Sequence, residues 1–218
     1  VAHLYFSYQQ GPYQVGQSLG LDSDEAHHAF RVARVTAGEK VLFGDGSGNL
    51  ATVQIESVGA DQVVGVVLET EVRPADEPGV WLAQALAKGD RDELAIQTAT
   101  ELGVSGVIPL AAARSVSRWR GDKAVTGVAR WTKIVTQASK QSLRPWIPEV
   151  LEPHEPQNLA KAVPGAQIIV LHPEVLTALS DIDYDLGRPI VLVVGPEGGF
   201  DDAEIWALEH SGARIARL

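Results

Sequence analysis

Ile190-Val191-Leu192-Val193-Val194-Gly195-Pro196-Glu197-Gly198-Gly199-Phe200-Asp201-Asp202-Ala203-Glu204 is the stretch that decides the fold. Its apolar, mostly β-branched start makes a strand buried on both faces, the kind found inside a parallel sheet. A glycine-rich loop follows. Asp201 and Glu204 then stand at the spacing of a capping box, which opens a helix. A buried strand running through such a loop into a helix is one unit of an open α/β fold. In these folds ligands bind outside the carboxyl ends of the strands. Gly195, Gly198 and Gly199 let the backbone approach a ligand, and Pro196 stiffens the loop. Glu197 between Gly-Pro and Gly-Gly is a costly way to build a plain turn, so the segment reads as a ligand loop. It carries neither the G-x-G-x-x-G of a dinucleotide fold nor the G-K-[ST] of a P-loop.

Working outward, more strands alternate with helices over residues 80–218. Val80–Ala85, Val104–Leu110 and Gln167–Leu171 read as strands beside the one ending at Val194. Asp90 and Glu93 have the spacing of a second capping box, for a helix to Leu102, and residues 123–142 read as a longer helix. This alternation predicts a parallel sheet covered on both faces. Gln167–Leu171 ends in His172-Pro173-Glu174, so Leu171 and His172 would share a pocket with the Gly195 loop. Alone, His172 reads equally well as a hydrogen-bonded strand-end histidine.

Residues 1–72 have a different pattern. Lys40–Phe43, Leu50–Val58 and Val63–Leu68 are short strands between tight turns such as Asp45-Gly46-Ser47-Gly48-Asn49. A helix opened by Asp22 and Glu25 runs through Arg34. The pattern predicts a small β-barrel of about 70 residues. Arg73–Gly79, with two prolines and a glycine, is the linker.

Composition excludes several classes. The 218 residues contain no cysteine, which removes disulfide scaffolds, thiolate metal sites and thiol catalysis. No apolar run is long enough to span a bilayer, and the first residues lack the features of a signal peptide. The expectation is a soluble, cytoplasmic protein. His27-His28 lack metal-ligand spacing, and no metal site is expected. The net charge of −10 argues against a polyanionic partner, but its distribution does not. Residues 114–144 carry eight basic groups against Asp122 alone, a net of +7 in an otherwise acidic chain. Such a segment is either a phosphate-binding stripe or a solvated helix face. Arg114, at a strand's carboxyl end inside this block, suits a phosphate or a base edge.

Taken in order, these segments resemble one family over essentially the whole chain. Lys88-Gly89-Asp90, Gln97 with Glu101-Leu102-Gly103-Val104, Arg114-Ser115, Arg130-Trp131 with Lys133-Ile134, Gln141-Ser142 with Arg144, and Gly195–Phe200 are similar to the RsmE family. Its members are 16S ribosomal RNA uracil-N3 methyltransferases of the SPOUT superfamily. His28, Arg34 and Gly38 fit its N-terminal pattern. The resemblance implies a PUA-like RNA-binding barrel followed by a SPOUT methyltransferase domain with a trefoil knot and a parallel sheet. It implies S-adenosylmethionine as cofactor, the small ribosomal subunit as partner, and a homodimer. Leu171, His172, Gly195, Pro196, Glu197, Gly198, Gly199 and Leu218 are then the cofactor candidates. Arg31, Arg34, Lys88, Arg114 and Arg144 are the RNA candidates, and Arg114 is also the catalytic candidate.

Three departures stand out. Lys140 occupies a position where the family usually has an acid. Ala33 is small within Arg31-Val32-Ala33-Arg34. The family continues beyond the equivalent of Leu218 with a Gly-x-Arg-Ile-Leu-Arg-x-Glu-Thr-Ala segment and a helix, which form part of the cofactor wall. The expectation is that the 218-residue chain binds cofactor weakly. The alternatives are a non-enzymatic RNA-binding or ribosome-assembly protein on the same fold, and a nucleotide-binding enzyme such as a dehydrogenase. The missing dinucleotide fingerprint disfavours the last.

Overall fold

The computed structural model describes residues 3–218, and they divide into two compact units. The first takes the chain through Ala75 together with Ser139–Ile147. Its strands are β1 (Leu4–Phe6), β2 (Ser18–Leu21), β3 (Lys40–Gly44), β4 (Asn49–Val58) and β5 (Val63–Val72). They form one sheet in the order β1-β3-β4-β5-β2. β1 runs parallel to β3 and the other pairs are antiparallel. Alternation puts Val53 and Ile55 of β4 into a core with Tyr5, Leu19, Leu21, Phe43, Val63 and Val67. Ser139–Ile147 lies in the second domain by linear order, yet it packs here. Ile147 donates its N–H to Gly46, and the Trp146 indole donates to the Arg73 carbonyl at 2.8 Å.

The expected helix through Arg34 is shorter. α1 spans Ser23–His27 and gives way to a wider π-helical turn over His28–Val32. Asp22 accepts the Glu25 N–H, but the box is not reciprocated. The Glu25 carboxylate is taken by Lys140 at 2.6 Å instead.

The second unit holds Asp76–Ala138 and Pro148–Leu218. In chain order it contains β6 (Val80–Ala85), α2 (Arg91–Leu102), β7 (Gly106–Leu110), the body of α3 (Asp122–Gln141), β8 (Glu149–Val150), α4 (Leu159–Ala162), β9 (Gln167–Leu171), β10 (Ile190–Val194), α5 (Asp202–His210) and β11 (Arg214–Ala216). The sheet order is β11-β9-β10-β6-β7-β8 and every pairing is parallel. All carboxyl ends therefore lie on one edge. Ile169, Val170, Val191 and Val193 are fully buried, each contributing about 1.5–3 kcal/mol of transfer free energy. That burial on both faces is why these strands read as continuous apolar runs.

The capping box at Asp201 and Glu204 is present, both halves made. The one expected at Asp90 is not. Asp90 makes no side-chain cap, and the Glu93 carboxylate pairs with Arg130 at 2.6 Å. Among the described residues no helix is long and apolar enough to cross a membrane.

Candidate active site

At the carboxyl edge of the second sheet, the loops after β9 and β10 close around one cavity of about 480 Å³. Leu171, His172, Pro173 and Glu174 line one side, and residues 194–200 with Asp202 line the other. Arg114, from the loop after β7, completes it. The volume lies within the usual range for a cofactor or drug-sized ligand, roughly 300–1,000 Å³. Seven of the eight cofactor candidates lie in this lining. Leu218 does not, and its side chain is 89% exposed.

Local chemistry fixes the loops. Register aligns Val194 with Leu171, so both loops leave the sheet at the same level. The Gly199 N–H turns back to the Pro196 carbonyl at 2.8 Å. His172 Nδ1 accepts the Glu174 N–H at 3.3 Å, which leaves Nε2 as the protonated nitrogen. The His172 N–H reaches the Ala216 carbonyl at 2.8 Å, tying the loop to β11. The Glu197 carboxyl is held below the usual range by its own backbone N–H, then by that of Lys88 and by Arg91, whose guanidinium lies 3.2 Å away.

Arg114 donates to the Gly198 carbonyl at 2.9 Å, so the cation rests on the glycine-rich loop. Glu204 holds that arrangement. One carboxylate oxygen accepts the Ala113 N–H at 2.7 Å, and the other accepts the Asp201 N–H at 3.0 Å. A single buried carboxylate thus joins the Arg114 loop to the start of α5. Ser115, beside Arg114, is buried with no partner for its hydroxyl among the described residues. On the other side of the Arg114 loop lies a larger cavity of about 590 Å³, lined by Trp119, Asp92, Asp122, Lys123 and Arg130 among others. Burial pushes the Asp92 carboxyl up, against the N–H groups of Glu93 and Ala87.

Lys88 is exposed at the same edge, after β6. Arg31, Arg34 and Arg144 belong to the first unit. Arg31 lies 5.2 Å over the Phe30 ring, and Arg34 adopts a positive φ of 54°. Several charges of the basic block are engaged internally. Arg130 pairs with Glu93, Lys140 with Glu25, and Arg118 donates to the Ala113 carbonyl. Sequence reasoning missed Arg91, Asp92 and the second bond of Glu204. Only the last had a signal, since the capping box already placed that carboxylate at a helix start.

Comparison with known proteins agrees with this geometry. Residues 75–218 match the RNA methyltransferase domain family, and residues 21–68 match the RNA methyltransferase PUA domain. The chain is 38% identical over 203 residues to ribosomal RNA small subunit methyltransferase E of Mycobacterium bovis, covering 91% of this chain and 78% of the relative. It is 34% identical over 216 residues to the Bacillus subtilis protein of the same name, covering 92% and 84%. The crystal structure of the Neisseria gonorrhoeae ribosomal RNA small subunit methyltransferase E, bound to S-adenosyl methionine, superposes with a TM-score of 0.89 at 25% identity. That match covers 100% of this chain and 89% of the other. The sheet with its carboxyl-edge cavity, the preceding PUA-like unit and these similarities together place the chain in the ribosomal RNA small subunit methyltransferase E family.

Proposed function

We propose that this protein methylates N3 of a uridine in 16S ribosomal RNA, using S-adenosylmethionine held in the cavity between Leu171–Glu174 and Gly195–Phe200. The observation that carries the reading is the meeting of both strand-end loops with Arg114 around that one cavity. Its residues suit the cofactor. The Gly199 position leaves room for close approach of a ligand, since a Cβ there would meet nothing within 4 Å, whereas at the Gly198 position it would touch the Arg114 side chain. When bound, S-adenosylmethionine supplies a methyl group already activated on a sulfonium.

The chain's own residues do the rest. Loss of the uracil N3 proton to solvent water leaves an anion on the base. The Arg114 guanidinium, held against Gly198, stabilises that charge and fixes the base edge. His172, with Nδ1 occupied, presents a donor rather than a base. N3 lies on the Watson–Crick edge, so the target is unpaired or flipped out. Arg31, Arg34, Lys88 and Arg144 contact the RNA backbone, with the small ribosomal subunit as partner. The protein works as a homodimer in the cytoplasm.

The test is transfer of labelled methyl from S-adenosylmethionine to small subunits, with nucleoside analysis of the product. Arg114→Ala lowers turnover by about 10²–10³-fold while cofactor affinity is retained. Unchanged turnover removes Arg114 from the mechanism. RNA binding without any N3-methyluridine supports the non-enzymatic alternative.

A further inference from the structure

A second cavity, of about 190 Å³, opens in the first unit. His3, Gln141 and Leu143 are exposed around it, Leu4, Tyr5 and Lys140 are buried below, and His28 completes the lining. Two donors there have hydrogen bonds left to give, and beside them one acceptor, Glu25 Oε2, is buried with no partner among the described residues. Tyr5 is 2% exposed, and its hydroxyl has no partner among the described residues. Burial, helped by Glu25 and Glu39, pushes that phenol up to about 12, so it stays a protonated donor at physiological pH. Lys140 is 6% exposed and gives one N–H to Glu25 at 2.6 Å, although an ammonium has three to give.

A donor buried without a partner destabilises a fold, and such groups call for an occupant that satisfies them. The chemistry narrows the occupant. Lys140 and Glu25 cancel, so the cavity favours a neutral molecule over an anion. Its spare donors ask for carbonyl oxygens, and the unpartnered Glu25 oxygen asks for an N–H as well. The imidazoles of His3 and His28 each lie with centroids 6.3 Å from the Tyr5 ring, giving flat aromatic neighbours. The volume suits a single ring.

We infer that this cavity receives the keto edge of one unpaired uracil from the bound RNA, with Tyr5 and Lys140 donating to its carbonyl oxygens. Cytosine, which replaces one carbonyl with an amine, satisfies these donors less well. The inference rests on reading the first unit as RNA-binding.

The test uses the full chain, its Tyr5→Phe variant, and single-stranded RNA oligomers rich in either uridine or cytidine. Thermal melts without RNA accompany fluorescence anisotropy with it. The wild type binds both oligomers and prefers uridine. Tyr5→Phe melts higher without RNA, because a buried orphan hydroxyl is gone, yet binds the uridine oligomer about five- to tenfold more weakly and loses the preference. A lower melting temperature in Tyr5→Phe overturns the inference, since the hydroxyl is then satisfied by a resident water. Unchanged affinity and preference in Tyr5→Phe overturns it while leaving the RNA-binding reading intact. A wild type that binds neither oligomer overturns that reading and the inference with it.

Discussion

Two glycine-bearing loops follow strands in this molecule, one in each unit, and they are built for opposite purposes. In the first, Asp45 accepts N–H groups from Gly11, Ser47 and Asn49 and also the Asn49 amide, closing the turn on itself. Gly48 there has φ +94°, and a Cβ would lie 2.4 Å from the Arg73 carbonyl oxygen and 2.8 Å from the Trp146 ring. In the second, Gly199 has φ +67°, and a Cβ would meet nothing within 4 Å. That loop opens on the cavity of about 480 Å³. One glycine makes room for the protein's own packing. The other sets a backbone turn and leaves the space beside it open. Glycine content therefore does not mark a binding loop. What its neighbours leave unfilled does.

The sharpest way to break this comparison is to add the same methyl group to both loops. Gly48→Ala combines a positive φ with a clash against backbone and indole, and should cost about 3 kcal/mol or more in denaturant unfolding. Gly199→Ala carries only the backbone strain, about 1 kcal/mol. Equal losses would show that the two loops do not differ in packing.

Asp45→Ala should cost about 2 kcal/mol, because several turn donors lose their acceptor together. Its pH dependence sharpens the point. Burial pushes the Asp45 carboxyl up, but the N–H groups of Ser47 and Gly11 and the bonds from Asn49 outweigh it and hold the group below the usual range. A carboxyl depressed in the folded state adds stability above its unfolded value, near 4, and that contribution fades as pH falls through the folded value. The melting-temperature gap between wild type and Asp45→Ala should therefore narrow from pH 7 to pH 3. A gap that widens on acidification contradicts the assignment.

Glu204→Gln, like Gly199→Ala, should cost only about 1 kcal/mol in stability, because an amide keeps one of its two acceptor oxygens. Its effect should fall on methyl transfer rather than on cofactor affinity, since Glu204 holds the Arg114 loop. Loss of cofactor affinity with turnover intact would separate Glu204 from Arg114.

Much of this was legible where burial alone dictated the pattern. Gln167–Leu171 and Ile190–Val194 are strands as read, because residues apolar on both faces have no other stable place. The cavity lining followed, since the ends of adjacent parallel strands must converge. β1, β2, β8 and β11 went unread. They are two to four residues long, and their pairing partners rather than any periodicity define them. The capping boxes show the same limit. Glu204 keeps its box, whereas Glu25 and Glu93 have the right spacing but surrender their carboxylates to Lys140 and Arg130, far away in sequence. Local spacing cannot reveal a distant competitor for the same oxygen. Ser139–Ile147 joining the first unit is another long-range outcome, secured by the Trp146 and Ile147 hydrogen bonds.

The measurement that bears most directly on the central claim is calorimetric titration of S-adenosylmethionine into the wild type and into Gly199→Val, with folding checked by circular dichroism. The account predicts saturable binding to the wild type and at least a tenfold loss in Gly199→Val, about 1.4 kcal/mol, because the bulky side chain distorts the loop that frames the cavity. Equal affinity in both proteins would contradict the assignment of that cavity to the cofactor.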